Sequence, residues 1–134
     1  PPLGPGLISA WLRSFRGFLA RPNGAAEPVW IEAKELATGL ADNAAGLVVI
    51  DVRRPPELTG ALGYISGAIN IPLDQLSSRM RELETMGDST IVLVCHGSTR
   101  SKKAAALLRS AGVLNVRVLR GGMVQWQRWK ARRG

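Results

Sequence analysis

The chain has 134 residues, 46% of them apolar, and a formal net charge of +8. That length supports one domain with a buried core. No apolar run approaches the roughly 20 residues a membrane-crossing helix needs, and a single cysteine excludes an internal disulfide and most cysteine-based metal sites. The charge is uneven: residues 1–90 carry eight basic and ten acidic side chains (−2), and residues 91–134 carry ten basic and none acidic (+10). A positive field of this kind draws small anions. No aromatic-interleaved basic stripe accompanies it, so nucleic acid is not an expected partner. A lone thiol fits a reducing compartment, which makes the cytoplasm the expected location.

Pro1 to Gly6 reads as a tail left by processing or excision. Leu7, Ile8, Trp11, Leu12, Phe15, Phe18 and Leu19 then form one apolar stripe at helical spacing. Three readings of Leu7–Leu19 stand open: packing on the domain or a partner protein, lying on a membrane surface, or the remnant of a targeting segment. Arg21-Pro22-Asn23-Gly24 is turn chemistry. The organisation expected is therefore a tail, amphipathic helix and linker over residues 1–27, followed by a folded domain over 28–134.

Pro28 to Ile31 is a short strand candidate. Ala33, Leu36, Ala37 and Leu40 repeat at helical spacing, and Asp42 to Gly46 breaks that helix. Leu47 to Val52 is a buried strand ending on charge at Asp51 and Arg53, a pair that reads as a structural network. Arg54 to Leu58 looks like a loop entering a short helix, with proline in its first turn. Ala68 to Ile71 is a third strand. Leu73, Leu76, Met80 and Leu83 line one helical face. Ile91 to Val94, rich in β-branched residues, is a buried strand. Ala104, Leu107, Leu108 and Ala111 form a helical stripe that Gly112 closes. Val116 to Leu119 is a last strand. Gly121-Gly122 opens a final helix with Met123, Trp126 and Trp129 inward and a frayed tail from Lys130. Strands alternating with helices predict a mostly parallel sheet covered on both faces.

The chemistry gathers at Cys95. It sits where a strand stops and a helix begins, and in a parallel α/β sheet ligands bind at that edge. A thiolate is the reactive form of cysteine. The following loop, His96, Gly97, Ser98, Thr99, Arg100 and Ser101, is small enough for its backbone N–H groups to converge on an anionic sulfur. The helix N-terminus adds positive potential, and Arg100 adds a fixed cation. His96 is the only histidine. Adjacent residues at a strand end point apart, so shaping the pocket rim suits it better than acting as a base.

Four segments carry a resemblance: Val48 to Arg53, Gly63 to Pro72, Cys95 to Ser101, and Leu119 to Trp126. Together and in this order they resemble a single-domain rhodanese of the thiosulfate sulfurtransferase type. The resemblance implies a five-stranded parallel sheet flanked by helices on both faces, with Cys95 in the nucleophile position. It implies transfer of a sulfane sulfur from a small anionic donor, such as thiosulfate or a persulfide, through a Cys95 persulfide to cyanide or a thiol. The amides of His96 to Ser101 would hold that persulfide, with Arg100 gripping the donor or bracing the loop, and no metal or organic cofactor is implied. Four residues separate Cys95 from Arg100. Phosphatases and arsenate reductases of this fold place five there, so a sulfur atom fits better than a tetrahedral oxyanion. A non-enzymatic rhodanese module that binds a partner or a membrane is the rival reading. Tyr64-Ile65-Ser66 departs from the family's usual His-Ile-Pro. Ser98 stands where the family usually has glycine, which would be costly were that position left-handed.

Overall fold

The computed structural model describes residues 27–42 and 46–133; the Leu7–Leu19 stripe and the turn after it lie outside them. Five strands form one sheet: β1 (Trp30–Ile31), β2 (Leu47–Asp51), β3 (Ile69–Asn70), β4 (Thr90–Val94) and β5 (Val116–Leu119). The order is β1-β5-β4-β2-β3 and every pairing is parallel. β4 lies in the middle, and Ile91 to Val94 are at most 2% exposed. A strand covered on both faces and paired on both edges must be apolar where it is buried, as Ile91 to Val94 are.

Among the described residues four α-helices cover the sheet: α1 (Ala33–Ala41), α2 (Met80–Glu84), α3 (Thr99–Ser110) and α4 (Gly122–Arg133). One core layer joins Leu83 of α2 and Ala104, Ala105 and Leu108 of α3 to Ile50, Leu93 and Val118. The other joins Leu36 of α1 and Met123 and Trp126 of α4 to Val49, Val92 and Leu119. The chain therefore leaves β4 toward one face and β5 toward the other. Neighbouring strands whose connections diverge leave a crevice at their C-terminal ends, the usual place for a ligand in such sheets.

Local chemistry fixes the helix ends. Glu32 and Glu35 form a reciprocal capping box at the start of α1. At the end of α3, Gly112 adopts φ +89°. Its N–H bonds the Arg109 carbonyl, and the Val113 N–H reaches back to that of Leu108 at 2.8 Å. This is a Schellman closure.

Three expectations need correction. The face Leu73–Leu83 is not one helix: 3-10 turns over Leu73–Gln75 and Ser77–Arg79 precede α2. The break falls at Arg79, whose φ −115° and ψ 20° leave the helical region, yet Leu76 and Leu83 still reach the core. On α3 the buried stripe is Ser101, Ala104, Ala105 and Leu108, whereas Leu107 is 39% exposed. The stripe is set by Ser101 lying under Cys95, which rotates the helix away from Leu107. The C-terminal basic run is not frayed from Lys130, because α4 continues to Arg133 and the Arg133 guanidinium stacks on the Trp129 ring.

Candidate active site around Cys95

Cys95 directly follows β4 and is 1% exposed. Its side chain belongs to the core layer of α2 and α3. The Ser101 backbone N–H donates to Cys95 Sγ at 3.4 Å, and Ser101 Oγ lies 3.3 Å from the same sulfur. Ser101 is itself fully buried.

The reason lies at the start of α3. Ser98 is the N-cap residue, but its hydroxyl caps nothing in that helix. It accepts the N–H of Gly121 at 3.0 Å instead. An N-cap oxygen normally satisfies an N–H of the first turn; here the third residue of the turn, Ser101, is satisfied by the sulfur of Cys95. The helix's unpaired donor is thus aimed at the one thiol, which stabilises negative charge there. Ser101 Oγ also lies 3.2 Å from the Ser98 carbonyl, to which it can donate. That hydroxyl has two directions for its proton, toward the sulfur or toward the carbonyl.

Ser98 has φ −133°. That is ordinary backbone for an L-residue, so serine at this position costs no left-handed strain. Gly97, Ser98 and Arg100 are partly buried, and His96 and Thr99 are exposed at the rim. His96 contributes its carbonyl, which accepts the Val124 N–H. Tyr64 is 60% exposed.

Arg100 is engaged with Glu57. Its two terminal nitrogens reach the two carboxylate oxygens at 2.7 and 2.9 Å, a forked pair about one-third exposed on each side. That hydrogen bonding, outweighing partial desolvation, holds the Glu57 carboxyl down to about 2. The same bond pushes Arg100 up, with smaller contributions from charge on Cys95 and Asp51. Arg100, expected either to grip a donor or to brace the loop, is here bonded through both terminal nitrogens to the turn that carries Glu57. Glu57 lies in a 3-10 turn over Pro55–Thr59 and also accepts the Arg54 N–H.

Behind that turn lies a buried ion pair. Arg53 Nη2 meets Asp51 Oδ2 at 2.7 Å, and Arg53 Nε lies 2.9 Å from Asp51 Oδ1. Both residues are 1% exposed. Arg53 also donates to the carbonyls of Gly63 and Glu57. Asn70 Nδ2 bridges the Asp51 and Arg53 carbonyls at 2.9 Å each. Asp51 pairs in register with Val94, so this network stands level with the entry to the Cys95 loop. Its role is architectural, as the sequence suggests.

Two contributors escape the sequence reading, the Ser101 hydroxyl and the first amides of α4; a third, Glu57, is open in the sequence to pairing with a loop or a neighbouring arginine, and the structure pairs it with Arg100 of the loop. The available signals are an acidic residue in a proline-led turn, a serine immediately after the loop arginine, and a double glycine after a strand.

Among the described residues no cluster of three or more His, Cys, Asp or Glu side chains could hold a metal ion. None of the helices described is long and apolar enough to cross a membrane. A cavity of about 290 Å³ opens beside Leu47 and Thr90, the first residues of β2 and β4, at the sheet edge opposite Cys95.

Comparison with known proteins agrees with the geometry. The model of the rhodanese-like domain matches residues 32–128. The chain is 45% identical over 78 residues (58% of its length) to the uncharacterized protein YqhL of Bacillus subtilis (strain 168), and it spans 59% of that relative. It is 34% identical over 98 residues to a sulfurtransferase of Allochromatium vinosum, covering 73% of this chain and 87% of the relative. Among solved structures, a rhodanese-related protein from Thermoplasma volcanium superposes with a TM-score of 0.64 at 31% identity. That match covers 75% of this chain and 92% of the other.

Proposed function

This chain belongs to the rhodanese-like domain family, and from that premise we propose that it is a sulfurtransferase working through a persulfide on Cys95. The observation that carries the reading is the sulfur itself, held at the C-terminal end of the central strand with an N–H and a hydroxyl of Ser101 directed at it. The sulfurtransferase of Allochromatium vinosum among its relatives supports the same reading.

The reaction runs in two halves. The Cys95 thiolate attacks the outer sulfur of thiosulfate; the donor's S–S bond breaks and sulfite leaves with the electron pair. Cys95 then carries an anionic outer sulfur. Cyanide or a thiolate attacks that sulfur, the new S–S bond breaks, and the Cys95 thiolate returns. Negative charge moves only between Sγ and the outer sulfur bonded to it, so one cluster of fixed donors around that spot serves both halves. The Ser101 amide supplies one such donor. The Ser101 hydroxyl turns toward the sulfur when it is anionic and toward the Ser98 carbonyl when Cys95 holds its proton. The amides of His96 to Ser98 supply the rest.

Four residues separate Cys95 from Arg100, and Arg100 is committed to Glu57. A tetrahedral oxyanion would need a wider loop and a free guanidinium, so sulfur transfer is favoured over phosphatase or arsenate chemistry.

The test is intact mass after brief exposure to thiosulfate and then to cyanide. The expected result is a gain of one sulfur atom, removed by cyanide and absent in Cys95→Ser. No gain with thiosulfate or with a low-molecular-weight persulfide would sink the transfer reading in favour of a partner-binding module.

A further inference from the structure

We propose that Gly122 and the first turn of α4 are a positioning device that turns the amides of the Cys95 loop toward the sulfur. The inference rests on the sulfurtransferase reading for its chemistry, but its geometry stands alone.

Three successive carbonyls face the start of α4. The Met123 N–H donates to the Cys95 carbonyl at 2.9 Å, and the Val124 N–H donates to that of His96 at 3.2 Å. Gly122 lies against both of these and against the Gly97 carbonyl, so closely that a Cβ on Gly122 would collide with all three oxygens. Its φ of +54° also belongs to the left-handed region. A trans peptide is planar, with its C=O and N–H pointing in opposite directions. The carbonyl of Cys95 shares a plane with the amide of His96. Likewise the carbonyl of His96 is fixed to the amide of Gly97, and that of Gly97 to the amide of Ser98. Holding three carbonyls toward α4 therefore sends three N–H groups the other way.

The other way is the side of the sulfur. α4 packs in the core layer of Met123 and Trp126, whereas the Cys95 side chain lies in the opposite layer, with Ala104 and Leu108. The N-terminal donors of α4 are spent on loop carbonyls, not on a ligand. Their effect is to leave the loop's own donors free for the anion. A side chain at Gly122 would push the carbonyls back and rotate the amides out of line, without touching substrate or Cys95 Sγ.

The experiment uses the full chain, ¹⁵N-labelled and carrying Cys95→Ser so that nothing turns over, titrated with thiosulfate. The expected result is a saturable shift of the His96, Gly97 and Ser98 amide resonances. With Gly122→Ala added, half-saturation should rise about tenfold or more while the resonances of β2 and β4 stay in place. A defect of stability alone would lower the folded fraction and leave half-saturation of the folded molecules unchanged. No amide shift in the first chain, or the same half-saturation in the second, overturns the proposal. Should Gly122→Ala lose its dispersed spectrum, Ser98→Ala replaces it. That change removes the oxygen holding the Gly121 N–H, and a half-saturation unmoved by it is equally fatal. Mass gain in the unmodified chain is read separately. Thiosulfate binding through these amides with no gain of sulfur would sink the transfer reading and sustain the positioning.

Discussion

Glu57→Gln isolates the forked ion pair that braces the loop. The Glu57 carboxyl falls from 4.5 to about 2 in the folded chain, chiefly through its hydrogen bonds to Arg100. At about 1.36 kcal/mol per unit, that shift sets a ceiling of about 3.4 kcal/mol. Both side chains are about one-third exposed, so solvent screens the pair and about 1 kcal/mol is the expected value. For a domain of this size, that lowers Tm by about 3–5 °C at pH 7. The sign in pH is fixed by the direction of the shift. A carboxyl depressed on folding stabilises fully above its unfolded value of 4.5 and loses that stabilisation as pH falls toward 2. On that screened scale, nearly all of the difference between wild type and variant should be gone by pH 3. Urea unfolding at pH 7, 5 and 3, followed by circular dichroism, measures it. Equal stability at pH 7, or a difference that does not shrink between pH 5 and pH 3, refutes the argument.

Asp51→Asn strands the Arg53 guanidinium in the core and should cost about 3–5 kcal/mol, read as a large fall in the urea midpoint. Ser101→Ala keeps the backbone donor but deletes the hydroxyl beside the sulfur. It should slow persulfide formation by about tenfold, in line with a hydrogen bond to a charged group, with little change in Tm. Leu36→Ala opens a void under α1, where the side chain is fully buried. It should destabilise by about 2–5 kcal/mol while the folded fraction transfers sulfur at the normal rate. Deleting residues 1–24 should leave thiosulfate turnover unchanged, since among the described residues every group directed at Cys95 lies beyond residue 50; a loss of turnover would make that segment part of the working unit.

The parallel strands were legible because burial on both faces forces unbroken apolar runs such as Ile91 to Val94. Cys95 was legible because it breaks such a run at the edge where helices begin. What the sequence hid is of two kinds. Which arginine Glu57 would take, one in the loop or a neighbour, stayed open because Glu57 and Arg100 are 43 residues apart and are brought together only by the order of the sheet. Backbone contacts leave almost no trace in side-chain type. Gly121-Gly122 marks a special turn without saying what presses against it, and Ser98 looks like a helix cap while its hydroxyl serves another loop. Leu107 misled for a related reason: helical spacing permits two adjacent stripes on α3, and a buried serine chose between them.

The tethers on the Cys95 loop also set how far this scaffold can be moved toward other chemistry. One end is drawn to Glu57 through Arg100, and the other is clamped against the start of α4. These anchors come from two separate elements, the turn after β2 and the start of α4, so the loop is held at both ends. Inserting one residue to admit a larger oxyanion would either pull the arginine off its carboxylate or lift the carbonyls from the helix. A route to a new substrate therefore passes through a second change that rebuilds the broken anchor. Such coupled steps are harder to take one mutation at a time than widening an untethered loop.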